Sequence, residues 1–169
     1  MPPDLPEDPL DVAVINQHSQ PVDEAALQRV LKATLQREGV ARGEVSVLLC
    51  GDPTMAALNA AYRGKAEPTD VLAFPQTDPA RPLDGTGAPA FSSPRDSLPP
   101  LGDIVVSLDT AARQAAAYGW SLQEELSLLV VHGLLHLLGY QDESETERRI
   151  MQAAEERHFQ ALFGRTIPR

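Results

Sequence analysis

Several features that would place the chain in a familiar class of protein are scarce or missing. The chain has 169 residues and one cysteine, Cys50, so it cannot form an internal disulfide, and a reducing compartment is expected. No stretch reaches the roughly 18 consecutive apolar residues that a membrane span requires, and the acidic, proline-rich N-terminus lacks the apolar core of a secretion signal. We therefore expect a soluble, cytoplasmic protein that has no membrane partner.

The chain also lacks the excess of basic residues that is typical of nucleic-acid-binding proteins. Its net charge is -10, with 14 Lys and Arg against 24 Asp and Glu, whereas binding to phosphates normally needs a basic surface. The segment from Leu27 to Lys65 is an exception, because it holds six basic residues against three acidic ones. One interpretation is a local RNA-binding face that includes Arg29, Lys32 and Lys65, and the alternative is an ordinary solvated helix surface.

Hydrophobic periodicity predicts one domain over residues 11–165, preceded by a disordered acidic tail at residues 1–10. Residues 76–100 hold six of the 15 prolines and are predicted to form a flexible surface loop, either an inert insertion or a lid. Strands and helices alternate in the first half of the chain, and helices dominate the second. We expect an α/β or α+β fold in which about four strands form a mixed sheet packed with about five helices.

Residues 121–143 have the pattern of a buried central helix that carries two histidines. Ser121 and Glu124 form a predicted capping box and Gly139 a predicted stop, so the helix is expected to run from about 122 to 138. Its apolar residues leave almost no polar face, which is typical of a helix that is buried on all sides. The histidines are therefore expected to be buried with it and to need polar partners.

His132 and His136 are one helical turn apart, so their rings can converge on one metal ion. Asp142 follows six residues later and is the expected third ligand, with His158 and His18 as rivals. Two histidines and a carboxylate favour one zinc ion per chain with an open fourth position, although iron or nickel also suits these ligands. The alternative is a pair of core histidines that are one turn apart by coincidence.

The pattern H-x3-H-x2-G-x2-D resembles the extended zinc signature of metzincin proteases. The residue after the first histidine is Gly133, however, where those proteases have the Glu that acts as general base. Glycine inside a helix costs about 1 kcal/mol relative to alanine, which indicates that something approaches the backbone closely there. Peptide hydrolysis by the usual route is disfavoured, and a zinc protease or amidase stays as an alternative.

Three motifs, in the same order along the chain, resemble the YbeY family of bacterial rRNA maturation factors. The resemblance covers residues 58–142 and implies a metal-dependent endoribonuclease, specific for single strands, that acts in 16S rRNA 3′-end maturation and ribosome quality control. It also implies rRNA, the small ribosomal subunit and its assembly factors as partners. The motifs are LN-x2-YR with PTDVLAFP at residues 58–75, LGDIV at 101–105 and HGLLHLLGY at 132–140.

Carried over by position, the resemblance assigns His132 and His136 as zinc ligands. The sequence differs from the family pattern after Tyr140, where the family has Asp-His and this chain has Gln141-Asp142. Asp142 thus occupies the position of the third histidine; a carboxylate binds zinc at a similar distance but should weaken the Lewis acidity of the ion.

Arg63 matches the functional arginine of the family, and a guanidinium suits a scissile phosphate and the charge of its transition state. The alternative is a surface ion pair. Asp70 and Asp103 are candidate acceptors for the imidazole N–H groups, or simply caps of local turns. No general base is identified from the sequence. A non-catalytic ribosome-assembly factor with a structural metal is the remaining alternative.

Overall fold

The computed structural model describes residues 8–76 and 98–168, so most of the predicted acidic tail and of the proline-rich loop lies outside the described residues. Four strands and five helices confirm the predicted α/β class. None of the helices in the described residues is long and apolar enough to cross a membrane. The elements are β1 (Leu10–Asn16), α1 (Glu24–Arg37), β2 (Gly43–Cys50), α2 (Asp52–Arg63), β3 (Val71–Pro75), β4 (Pro100–Ser107), α3 (Leu108–Tyr118), α4 (Leu122–Leu137) and α5 (Glu145–Phe163).

The sheet is mixed and has the strand order β1-β2-β4-β3. Strands β1, β2 and β4 are parallel, and β3 pairs antiparallel with β4 at one edge. Strand β2 is nearly continuous in its apolar residues, which is typical of a strand covered on both faces. Its position between β1 and β4 confirms that expectation.

The predicted tail extends too far into the chain. Strand β1 begins at Leu10, which pairs with Gly43 and is 3% exposed. Leu10 alternates with Val12 on the buried face, and its backbone N–H donates to the Asp8 carboxylate at 3.0 Å. The end of the predicted loop is also part of the fold, because Pro100 is the first residue of β4.

Helices cover both faces of the sheet. On one face, Met55 and Leu58 of α2 pack against Leu72 and Val105 of the strands. On the other face, α1 and α4 form the main core, and α5 packs against α4. The buried residues of that main core include Leu27, Leu31, Val47, Ile104, Val106, Val130 and Leu134.

Helix α4 is the central helix that the sequence predicts. It begins with the capping box formed by Ser121 and Glu124, and 11 of its 16 residues are buried. The chain turns away at Gly139, whose φ of 103° lies in the left-handed region that favours glycine. The helix thus places His132 and His136 near its C-terminal end, where their side chains are 29% and 25% exposed, so the expected full burial of the histidines is not observed.

Gly133 is a point of close approach between α4 and the sheet. A Cβ atom at this position would lie 2.7 Å from Ile104 Cγ2 and 3.3 Å from Val71 Cγ2. Both neighbours are β-branched side chains on the strands beneath the helix, and Ile104 is fully buried. The close approach expected from a glycine inside a helix is confirmed.

We predict that Gly133→Ala destabilises the protein although alanine is the better helix former. Overpacking of a core costs about 1–3 kcal/mol, which outweighs the gain of about 1 kcal/mol in helix propensity. The free energy of unfolding, measured in urea for both proteins, should fall. In an Ile104→Ala background the same substitution should be neutral or stabilising, since the clashing methyl group is absent. Equal effects in the two backgrounds would disprove the contact.

Candidate metal centre

Three potential ligand atoms converge at the end of α4. His132 Nε2 and His136 Nε2 are 3.2 Å apart. Asp142 Oδ2 lies 3.3 Å from His136 Nε2 and 4.0 Å from His132 Nε2. Among the residues that the structure describes, this is the one group of three His, Cys, Asp or Glu side chains close enough to hold a metal ion. The three residues that the sequence singles out therefore meet in space.

The second nitrogen of each imidazole is occupied by another group. His136 Nδ1 lies 3.0 Å from the backbone carbonyl oxygen of Tyr140, and His132 Nδ1 contacts the carboxylate of Glu155 on α5. A carbonyl oxygen and a carboxylate only accept hydrogen bonds, so each Nδ1 is the donor. In the neutral form of each ring, the lone pair is on Nε2 and faces the other ring.

This donor set fits a divalent metal ion. Two lone pairs and a carboxylate oxygen that face one another repel, and a cation between them removes the repulsion. A tetrahedral zinc with bonds of about 2.0 to 2.1 Å separates its ligands by about 3.3 Å. The His132–His136 and His136–Asp142 separations match that value, and the His132–Asp142 separation of 4.0 Å is longer.

The electrostatic environment of His132 is set by burial and by acidic neighbours. Burial lowers the pKa of His132, but the hydrogen bond and the charge of Glu155 raise it, and the carboxylates of Asp70 and Asp142 add to that increase. The net result is a pKa above the ordinary value of 6.5. In the metal-free protein, a proton therefore occupies this site more readily than it would a free imidazole.

Glu155 contacts the candidate centre, and the sequence analysis misses it. It lies 23 residues beyond His132, and its side chain is 13% exposed. Its position gives one signal in the sequence, because it lies four residues after Met151 and next to Ala154, two apolar residues that are buried on α5. An acidic residue at the edge of a buried helix face needs a partner. Which partner it finds depends on how α5 packs against α4.

The loop after α4 is anchored from a second direction. The Tyr140 hydroxyl donates to Glu38 Oε1 at 2.6 Å, and Glu38 is the residue that ends α1. His158 Nε2 lies 3.4 Å from the same carboxylate oxygen, while His18 Nε2 is 2.9 Å from Asp109. The two rival histidines therefore lie outside the ligand group, and Tyr140 fixes the carbonyl that holds the His136 ring.

The carboxylates suggested as acceptors for the imidazole N–H groups accept hydrogen bonds from other groups. Asp70 Oδ1 accepts the backbone N–H of the next residue at 2.8 Å, and Asp103 accepts a hydrogen bond from the Gln76 side chain at 3.0 Å. Neither hydrogen bonds an imidazole, because Glu155 and the Tyr140 carbonyl fill that role. Asp70 nevertheless acts on the centre through its charge.

A cavity of about 560 Å³ adjoins the candidate metal centre. His132 and Asp142 form part of its lining, so a metal ion held by these residues would lie at its edge. The other lining residues come mainly from α4 and α5 and include Asp70, Leu128, Leu129, Arg148, Met151, Glu155 and Glu156.

Arg63 lies in the last turn of α2, where its side chain is exposed. Helix α2 packs on the face of the sheet opposite α4, and Arg63 is not part of the cavity lining. The neighbouring Tyr62 stacks on Phe74 of the edge strand β3, with ring centroids 4.3 Å apart. Within residues 8–76 and 98–168, Arg63 has no ion-pair partner. Its role as a phosphate clamp stays a prediction.

The three basic residues suggested for RNA binding lie in different parts of the fold. Arg29 and Lys32 belong to α1, which packs over β1, whereas Lys65 follows α2 and leads toward β3 at the other edge of the sheet. Lys32 Nζ is 2.5 Å from the Asp8 carboxylate. The structure therefore does not join these residues into one basic face.

Comparison with known proteins shows the family to which the chain belongs. The family model described as Endoribonuclease YbeY matches residues 13–163. The chain belongs to this family. It is 42% identical over 155 residues to Endoribonuclease YbeY of Roseiflexus sp. (strain RS-1), covering 90% of this chain and 92% of that protein. It is 43% identical over 153 residues to Endoribonuclease YbeY of Moorella thermoacetica, covering 87% of this chain and 94% of that protein.

A solved structure shares the same fold. The solution structure of TM1509 from Thermotoga maritima superposes with a TM-score of 0.56 at 22% sequence identity. The match covers 92% of this chain and 89% of that chain. The overall architecture of this YbeY family member is therefore one already seen in a solved structure.

We predict that Glu155→Ala weakens zinc binding by about 10- to 100-fold, the usual effect of removing a group that orients a ligating histidine. Dissociation constants from competition with a chromophoric chelator measure this effect. The matched control is Glu156→Ala, because Glu156 is the next residue on the same helix and hydrogen bonds neither histidine. Equal loss of zinc affinity in both variants would mean that Glu155 acts only through its negative charge and not through its hydrogen bond to His132.

The raised pKa of His132 predicts opposite pH dependences for stability and zinc binding. In the metal-free protein, the charged His132–Glu155 pair stabilises the fold below the ordinary pKa of 6.5, and this contribution is lost as pH rises through the folded pKa. Zinc affinity increases over the same interval because the ligand must lose its proton. Urea unfolding and zinc titrations at several pH values test this. In Glu155→Gln both changes should move to lower pH, and unchanged midpoints would contradict the assignment.

Proposed function

We propose that this protein is a metal-dependent endoribonuclease that cuts single-stranded RNA, with zinc as the metal. Its proposed roles are 16S rRNA 3′-end maturation and ribosome quality control in the cytoplasm, with the small ribosomal subunit and its assembly factors as partners. The observation that carries this proposal is the convergence of His132, His136 and Asp142 in a chain of the endoribonuclease YbeY family. The sequence motifs at residues 58–75 and 101–105 support it further.

The choice of zinc is supported by the chemistry of the donors. Neutral imidazole nitrogens with one carboxylate are common zinc ligands, and three protein ligands leave one tetrahedral position for a substrate or water. When bound, the ion would supply Lewis acidity toward a phosphate oxygen or a water molecule. The carboxylate of Asp142 adds a negative charge that a third histidine would not, so this Lewis acidity should be weaker.

The protein's own residues position the centre. Glu155 and the Tyr140 carbonyl hold the two rings so that each Nε2 faces the other. The Arg148 guanidinium donates to the carbonyl oxygens of Glu143 at 2.9 Å and Asp142 at 3.4 Å, which braces the loop that carries the third ligand. Arg63 is the proposed clamp for the scissile phosphate, since a guanidinium can stabilise transition-state charge.

Peptide hydrolysis of the zincin type has little support. That reaction needs a Glu after the first histidine, and here a side chain at position 133 would begin 2.7 Å from Ile104 Cγ2. A carboxylate at this position would have to displace a fully buried side chain of the sheet. The packing of α4 therefore excludes the usual general base of such proteases.

The proposed function predicts that Arg63→Ala lowers the rate of cleavage of single-stranded RNA by about 10²- to 10³-fold, as for removal of other groups that stabilise transition-state charge. The substrate is an RNA with the sequence of the 16S rRNA 3′ end, compared with the same strand in a duplex. Arg37→Ala is the matched control, because Arg37 is also an exposed arginine in the last turn of a helix.

Further measurements distinguish a catalytic metal from a structural one and test the role of Arg63. His136→Ala should abolish both zinc binding and cleavage. Cleavage by Arg63→Ala at the wild-type rate, with zinc content unchanged, would remove Arg63 from the mechanism. If the wild-type protein cuts no RNA while chelation lowers its melting temperature, the metal is structural and the endoribonuclease proposal fails.

A further inference from the structure

The cavity beside the candidate metal centre has the size and position of a binding site. Its volume of about 560 Å³ lies within the range of about 300 to 1,000 Å³ that is typical of small-molecule sites. It shares His132 and Asp142 with the metal centre. If a scissile phosphate meets the centre, as the proposed function requires, an attached nucleoside reaches the mouth of this cavity.

One wall of the cavity is apolar and well packed. It is formed by Leu128, Leu129 and Met151, which are 3%, 3% and 2% exposed. Leu128 and Leu129 lie on α4 and Met151 lies on α5, so this wall belongs to the packed interface of two helices. A flat, largely apolar ring can cover such a surface, whereas a phosphate cannot.

The polar groups of the cavity are mainly acidic. The carboxylates of Asp70, Asp142, Glu155 and Glu156 line it, against one guanidinium, that of Arg148. This charge disfavours a phosphate inside the cavity and favours a ligand that donates hydrogen bonds. The exocyclic amino groups of cytosine, adenine and guanine are donors of that kind, whereas the one Watson–Crick donor of uracil, N3–H, lies between two carbonyl oxygens that a carboxylate repels.

Glu156 is the acceptor that is best placed to meet such a donor. Glu155 already holds the His132 ring, whereas Glu156 Oε2 accepts one long hydrogen bond, from the backbone N–H of Ile167 at 3.5 Å. Its other carboxylate oxygen has no hydrogen bond within the described part of the chain.

We propose that this cavity binds one unpaired nucleobase next to the scissile phosphate, and that Glu156 selects bases that carry an exocyclic amino group over uracil. This inference rests on the proposed function, because it identifies the part of the RNA that enters the site. A base in a duplex has its Watson–Crick edge occupied by its partner, so only an unpaired base can meet this carboxylate. The cavity thereby gives a physical basis for a preference for single strands.

A test that does not depend on cleavage uses the methionine methyl groups. The chain has three methionines; Met151 lines the cavity, and Met55 is fully buried on the opposite face of the sheet. Protein labelled with ¹³C at the methionine methyl groups and loaded with zinc is titrated with CMP, UMP or inorganic phosphate. We expect CMP to shift the Met151 signal at lower concentration than UMP does, while phosphate leaves it in place and Met55 is unaffected.

Three variants locate the site. Ala153→Trp should abolish the shift, because Ala153 lines the cavity and a large side chain there would occupy it. Ala161→Trp is the matched control, since Ala161 is exposed on the same helix outside the cavity lining. Glu156→Gln should remove the preference for CMP over UMP. Zinc content, measured for each variant, should stay at the wild-type value.

The base-binding proposal is overturned if no nucleotide moves the Met151 signal, if inorganic phosphate moves it equally, or if the two tryptophan variants behave alike. Equal responses to CMP and UMP in the wild-type protein overturn the assigned selectivity. Cleavage of RNA without any Met151 response rejects the base site alone. A selective Met151 response in a protein that cuts no RNA rejects the endoribonuclease proposal and leaves the base site supported.

Discussion

The contact between Gly133 and Ile104 is the constraint on which the candidate metal centre depends. Because position 133 has no Cβ atom, α4 lies directly on strands β3 and β4, and its residues on either side are held at a defined depth in the core. His132 is the residue before this contact, and His136 follows one turn after it. The same absence of a side chain that allows the packing also removes the general base of zincin-type proteases. Gly133 thus affects both the position of the candidate metal centre and its chemistry, because the centre lacks the general base used in zincin-type peptide hydrolysis.

Burial of α4 explains why the two histidines have such specific partners. A half-buried imidazole gains from an acceptor for its N–H group, and the acceptors here are a carboxylate from α5 and a backbone carbonyl from the loop after α4. These acceptors direct both Nε2 lone pairs to one point, where the carboxylate of Asp142 joins them. Tyr140 and Arg148 brace the loop from two sides, through Glu38 and through the carbonyls of the loop itself. The geometry suited to a metal ion is therefore a consequence of hydrogen bonds made outside the centre.

The protein has a net charge of -10, and the acidic residues near the candidate metal centre would repel the phosphates of an RNA substrate. Arg29, Lys32 and Lys65 are spread over different parts of the fold and form no continuous basic face in the described structure. Carboxylates, in contrast, gather at the cavity and at the candidate ligand group. A divalent cation at the centre would offset part of this charge where a phosphate has to approach. Contacts to the base, which is uncharged, would then contribute recognition that does not require a basic surface.

The sequence by itself determined the features that depend on residues within a few positions of each other. The capping box of Ser121 and Glu124, the stop at Gly139 and the one-turn spacing of the histidines are local, and the structure has all of them. The apolar run of β2 likewise indicated a central strand. Leu10 lies among prolines and acidic residues, where no apolar periodicity marks a strand, and only its pairing with β2 shows that it belongs to the sheet.

Tertiary structure alone decided which distant groups meet. Glu155 contacts His132, 23 residues earlier in the chain, because α5 packs against α4. Asp70 and Asp103 carry the same kind of side chain, but they accept hydrogen bonds from other groups. Tyr140 holds the His136 ring through its backbone carbonyl oxygen. Every residue has such a group, so no sequence pattern indicates this contact. Arg63 is exposed at the end of α2, which packs on the face of the sheet opposite α4, and it is not part of the cavity lining. Which side chains meet when they are far apart in the sequence depends on how whole helices and strands pack. That packing depends on the complete hydrophobic core and not on any single motif.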